Sequence, residues 1–176
     1  LELTNKSRKV KRIGYSFAMN NYKRKEISMA NEPSVMYWED LEVGREYTSP
    51  SRTVTEADIV NFAGLSGDYN ELHTSAEFCK DTMFGTRIAH GLLGLAIASG
   101  LFTRTELCVQ TQRNLIAFLG LEWKFKGPIM IGDTVTVKVK IIEKKETKNP
   151  ERGIFILKRE LINQKGEVVQ EGETPL

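Results

Sequence analysis

The chain has 176 residues, 40% hydrophobic and 27% charged, with a net charge of +2, which is the makeup of one domain with a sizeable core; two domains would be cramped. Eight of the basic and two of the acidic residues fall within the first 28, leaving the remainder with 17 basic and 21 acidic residues. A mildly acidic body offers no footprint for nucleic acid.

Two cysteines, Cys79 and Cys108, make neither a disulfide framework nor a CxxC pair, so a reducing, cytoplasmic setting is expected. The longest uncharged run, Ile88 to Thr103, is shorter than the roughly 20 apolar residues a bilayer demands, and no membrane partner is expected. The basic N-terminus is followed by no apolar stretch of the kind a secretory signal needs.

Residues 1–28 lack periodicity and are read as a non-native or disordered basic extension, the alternative being an arm that touches phosphates. Met29 reads as a natural start, and residues 29–176 as a single domain. Ser51–Val54 is a short strand. Thr55 then caps a helix, with Asp58 in capping-box position and Ile59, Phe62 and Ala63 on its apolar face. Ser66-Gly67-Asp68 ends that helix, and a second short one is expected over about 75–80. The run His90 to Phe102 is apolar all round, so as a helix it is expected to be buried on nearly every side. Gly94 and Gly100 would let a sheet press close to it.

After Asn114 the period changes from 3.6 to 2. Alternation predicts strands over Ala117–Phe125, Val135–Ile141, Ile154–Ile162 and Glu167–Glu173, joined by short turns as an antiparallel meander. A sheet with one buried helix is an α+β arrangement.

Both histidines, His73 and His90, fall in one turn-rich stretch with Asp68 and Asn70. A carboxylate and an imidazole can share the work of holding, deprotonating and reprotonating water, and the Asn70 amide can orient either one. D-x4-H is a weak pattern on spacing alone. Asp68 as a turn cap with His73 on the surface, or Asp68, His73 and His90 as metal ligands, remain open. Gly91, in the first turn of the apolar helix, would leave an N–H uncovered with the helix dipole behind it, which suits an anionic oxygen.

Phe62-Ala63 … Ser66-Gly67-Asp68-Tyr69-Asn70-Glu71-Leu72-His73, Phe84-Gly85 … Ile88-Ala89-His90-Gly91-Leu92-Leu93 and Phe125-Lys126-Gly127-Pro128 … Gly132-Asp133-Thr134-Val135 together resemble the MaoC-like dehydratases, the (R)-specific enoyl-CoA hydratases. The resemblance implies a hot-dog fold, an antiparallel sheet wrapped round one long helix. It also implies a homodimer or dimer of dimers and reversible hydration of a trans-2-enoyl thioester without a cofactor. Carried onto this sequence, Asp68 and His73 become the acid–base pair and Gly91 the oxyanion donor. Asn70, His90 and Ser99 become substrate-binding residues. The expected partner is an acyl-CoA, or acyl-carrier-protein, thioester. One departure is Glu71, where that family commonly carries proline. A thioesterase and a non-catalytic acyl-thioester-binding module are the rival readings.

Overall fold

The computed structural model describes residues 35–176; the extension read over residues 1–28 lies outside them. After one turn of 3-10 helix at Trp38–Asp40, the chain forms two short strands, β1 (Glu46–Thr48) and β2 (Arg52–Thr53), and enters helix α1 (Glu56–Ser66). The expected capping box is present. Thr55 Oγ1 accepts from the Asp58 N–H, and the Asp58 carboxylate accepts from the Thr55 N–H at 2.8 Å, so two amides left open at the helix start are satisfied. Gly67 closes α1 with φ of 73°, a conformation that costs a residue without a Cβ little.

Two short helices follow, α2 (Glu71–Thr74) and α3 (Ala76–Lys80). Ser75 caps α3, accepting from the Phe78 N–H, whereas α2 is a single turn that the sequence reading does not contain. The apolar helix is α4 (Gly91–Phe102), and α5 (Glu106–Thr111) comes after it. The remaining strands are β3 (Glu122–Phe125), β4 (Thr134–Glu146), β5 (Gly153–Ile162) and β6 (Val168–Pro175). Among the described residues, no helix is long and apolar enough to cross a membrane.

The sheet runs β1-β4-β5-β6-β3, antiparallel throughout, with β2 also paired to β4. Strict alternation in β4 has the predicted consequence: Val135, Val137, Val139 and Ile141 are wholly buried. The meander holds only for β4-β5-β6. Both sides of β4 are taken, by β1 and β2 on one and β5 on the other, so β3 crosses to the far edge and pairs with β6. The expected strand from Ala117 is also shorter, forming only at residues 122–125.

The inner face of the sheet packs Val137, Leu157, Leu161 and Val169 around Leu93, Ile97, Ala98 and Leu101 of α4. Each buried valine, leucine or isoleucine in this set contributes about 1.5–3 kcal/mol by leaving water. This is the hot-dog arrangement, a sheet curved about a central helix. One expectation is corrected, because a single sheet covers only one face of α4. Leu92 is 60% exposed, and Ala96, Ser99 and Gly100 are exposed beside it. Gly94 does sit where the sheet presses close: a Cβ there would lie 2.2 Å from Gln170 Nε2 and 2.6 Å from Ile129. Gly100 has open space around it instead.

Candidate active site

Three elements converge at the N-terminus of α4. The turn after Gly67 carries Asp68, α2 carries His73, and the extended segment before α4 carries His90. Asn70 builds the turn. Its side-chain oxygen accepts from the Leu72 N–H at 3.0 Å and so caps α2, while its own backbone N–H donates to Asp68 Oδ1 at 3.2 Å. Asn70 therefore orients Asp68 through the main chain, with its amide oxygen committed to the helix. The Asp68 N–H donates in turn to Ser66 Oγ at 3.2 Å.

Glu71 fits this turn without distortion. It occupies the first position of α2, where an acidic side chain complements the helix dipole. Asn70 before it has φ −52° and ψ 137°, the extended backbone that also precedes a proline.

The segment before α4 is pinned from two sides. Ile88 donates to Leu72 O at 3.1 Å, and Ala89 donates to Ile129 O at 2.9 Å. Ile88 O then accepts from His73 Nδ1 at 2.8 Å, and Asp68 O accepts from His90 Nε2 at 3.0 Å. A carbonyl oxygen only accepts, so in the neutral rings the protons sit on His73 Nδ1 and His90 Nε2. His73 Nε2 is left as an open acceptor. His90 Nδ1 is buried and without a partner.

Asp68, His73 and His90 each offer a donor atom, and these atoms all lie within 4.8 Å of one another. Asp68 is exposed, His73 half-buried and His90 buried. The same cluster could hold a metal ion through those atoms, or hold and activate a water between the carboxylate and the open imidazole nitrogen.

Next to the cluster is the start of α4. His90 is its N-cap residue but makes no side-chain capping bond, so the first amides of the helix keep their dipolar charge uncompensated. Gly91 is exposed there. A Cβ on it would lie 3.0 Å from the Phe125 ring, so a side chain there would crowd the gap between the helix and β3. Its carbonyl is held by Gln170 Nε2 at 2.9 Å, and Gln170 Oε1 accepts from Trp123 Nε1 at 2.9 Å. Gln170 is 1% exposed; this buried link between α4 and the sheet is absent from the sequence reading, where an isolated glutamine within a strand carries no signal.

Asp68, Asn70, His73, His90 and Gly91 are thus brought together. Ser99 is not. It lies on the exposed side of α4, two turns and about 12 Å along the helix from Gly91. A cavity of about 810 Å³, lined in part by Trp38, Arg113, Lys148 and Phe155, includes none of the cluster. The cluster stands instead at the start of α4, on which Gly91, Leu92, Ala96, Ser99 and Gly100 are exposed.

Residues 40–157 match the family model described as the MaoC like domain. The chain is 34% identical over 144 residues to an (R)-specific enoyl-CoA hydratase of Rhodospirillum rubrum, covering 82% of this chain and 92% of the relative. It is 38% identical over 108 residues to the protein MaoC of Klebsiella aerogenes, a match that takes in 61% of this chain but only 31% of that longer protein. Among solved structures, a monoamine oxidase regulatory protein from Archaeoglobus fulgius superimposes with a TM-score of 0.74 at 35% identity, covering 81% of this chain and 93% of that one.

Proposed function

Because the chain belongs to the MaoC-like domain family, we propose that it is a lyase that reversibly adds water to a trans-2-enoyl-CoA, giving an (R)-3-hydroxyacyl-CoA. The observation that carries this reading is the juxtaposition of Asp68 and His73, whose Nδ1 bond leaves Nε2 open, with an uncapped helix start at Gly91. The hydratase named in Rhodospirillum rubrum matches over nearly its whole length, which supports the same reading.

In hydration, a water held between Asp68 and His73 Nε2 loses a proton to one of them as its oxygen bonds to the β-carbon. The thioester carbonyl lies on the Gly91 N–H, where the enolate charge that builds up meets the positive end of α4. A proton returned to the α-carbon completes the addition. The hydrogen bond from His73 Nδ1 to Ile88 O fixes the ring so that Nε2 faces the water, and His90 supports it from behind. No step calls for a cofactor.

The exposed stripe of Leu92, Ala96, Ser99 and Gly100 on α4, with Phe125 54% exposed beside it, supports a homodimer. A second copy laid there would roof the groove and bring Ser99 to the edge of the acyl site. An acyl-carrier-protein thioester is the alternative carrier to CoA.

The test follows the ultraviolet absorbance of crotonyl-CoA on mixing with the protein, with free thiol detected in parallel. Loss of the conjugated enoyl band without thiol is the expected result. Thiol release would make the protein a thioesterase. Silence in both channels across a panel of enoyl thioesters, together with saturable binding, would make it a binding module.

A further inference from the structure

In β5, alternate residues face inward: Phe155, Leu157, Arg159 and Leu161. Arg159 is the exception in that apolar row, and it is only 2% exposed. Its Nη2 donates to Thr174 Oγ1, but its Nε is buried and has no partner among the described residues. Among the described residues no carboxylate forms an ion pair with it. Burial lowers its pKa to about 10, and no neighbouring charge offsets that cost.

Aromatic rings surround the guanidinium in place of a counter-charge. Its Cζ lies 5.5 Å from the centre of the Trp123 ring, 5.6 Å from Phe102 and 5.9 Å from Phe118. Such faces attract a cation but take no hydrogen bond from its edge. Gly172 stands opposite both Arg159 and Trp123 in the sheet. A Cβ there would lie 2.4 Å from the Trp123 ring, so the missing side chain is what allows the indole to reach Arg159.

The cage is connected to the proposed reaction centre. The Phe125 ring lies where a Cβ on Gly91 would meet it, Gln170 bonds both Gly91 O and the Trp123 indole, and Trp123 walls Arg159. Phe102 ends α4 and Gly91 begins it, about 16 Å apart along the helix, while Phe125 and Trp123 are about 7 Å apart along β3. The contacts from Gly91 through Gln170 to Trp123 therefore lead from the proposed oxyanion position to the guanidinium. Phe102 is 7% exposed but Phe118 is 57% exposed, and Phe118 comes from the irregular stretch before β3, so it is the most exposed of the three rings around Arg159.

We propose that Arg159 closes the distal end of the acyl groove and that the preferred acyl group carries a carboxylate at its far end. A carboxylate is the ligand that satisfies a buried guanidinium edge through paired, charge-assisted hydrogen bonds, and the surrounding rings then exclude water from the pair. This assignment rests on the reading of the protein as an acyl-thioester enzyme and names the class of acyl chain.

The test is equilibrium binding of saturated thioesters, which cannot be hydrated, in pairs of equal length: succinyl- with butyryl-CoA, adipyl- with hexanoyl-CoA, and suberyl- with octanoyl-CoA. In at least one pair the carboxylate-ended thioester is expected to bind about tenfold or more tightly. R159M is expected to bring that ratio to one or below, and R159K, which keeps the charge without the planar fork, to an intermediate value. Equal or weaker binding of the carboxylate-ended member in every pair overturns the proposal, as does an unchanged ratio in R159M; a guanidinium neutralised by a second copy's carboxylate would give that flat series. Should R159M fail to fold, the unmodified protein's series decides alone. Because these ligands lack the double bond that hydration needs, the series and the crotonyl-CoA assay can fail independently.

Discussion

The imidazole rings of His73 and His90 are stacked, with centroids 3.8 Å apart and planes 32° from parallel, and each ring is tethered to a different main-chain carbonyl. Phe62 also packs against His90, with ring centroids 5.0 Å apart. His90 thus supports His73 as a ring surface, and supports Asp68 through the bond to its carbonyl. H90A removes both supports and is expected to lower kcat by about tenfold to a hundredfold through misplacement of the pair. H90F keeps the surface and loses only the bond, and should fall between H90A and the unmodified protein. Equal kcat in all three would dismiss the positioning role.

The two glycines of α4 near the site are expected to fail differently. At Gly94 an added methyl meets Gln170 and Ile129 inside the core, so G94A should cost about 1–3 kcal/mol of stability from overpacking and loosen the bond that holds Gly91 O. At Gly91 the methyl meets only the exposed Phe125 ring, which has room to turn. G91A should therefore keep its thermal midpoint while losing most hydration activity. Thermal melts beside crotonyl-CoA kinetics separate the two cases.

Glu71 supplies a test of the turn. Its position as the first residue of α2, behind an extended Asn70, is one that proline tolerates because the N–H there has no helical partner. E71P should fold, remain active, and gain roughly 0.4–1 kcal/mol by restricting the unfolded chain. A loss of stability in chemical denaturation would mean that the turn depends on the glutamate.

Much of this architecture was legible because periodicity is local. Val135 to Ile141 announce an inward face through strict alternation, and the uncharged run after His90 could only be a central helix. The place of β3 was not legible, since pairing with β6 and not β4 is decided by which edges are already occupied. The alternation from Ala117 continues through residues that have no strand partner beyond the single bond from Leu119 N–H to Pro175 O. The one-turn helix α2 is too short to show a period. Asp68, His73, His90 and Gly91 were singled out through their ordered motifs, and the fold brings Asp68, His73 and His90 within 4.8 Å of one another beside Gly91. Arg159 was overlooked because Lys158-Arg159-Glu160 reads as an exposed charged run, although the period of two that buries Leu157 and Leu161 also turns Arg159 inward.

Asp58 gives a pH test of the scaffold that leads into the site. Burial pushes its carboxyl upward, but hydrogen bonds from the Thr55 N–H and hydroxyl, together with the Arg52 guanidinium, outweigh that and hold it below the usual range. With the folded pKa depressed, its stabilisation is complete above the unfolded value of about 3.9 and disappears as pH falls through the folded value. D58N should accordingly destabilise by about 1 kcal/mol at neutral pH, as loss of a helix cap does. The gap from the unmodified protein should close in strongly acidic solution. A gap independent of pH in denaturant titrations would assign the effect to packing.

The most direct measurement is the rate of crotonyl-CoA hydration by D68N, which keeps the size of the side chain and its capacity to accept from Asn70 N–H but removes the base. If Asp68 and His73 share the proton transfers, kcat falls by a factor on the order of a hundred to ten thousand, with the fold and thioester binding retained. A D68N protein that hydrates crotonyl-CoA at the unmodified rate would contradict the account.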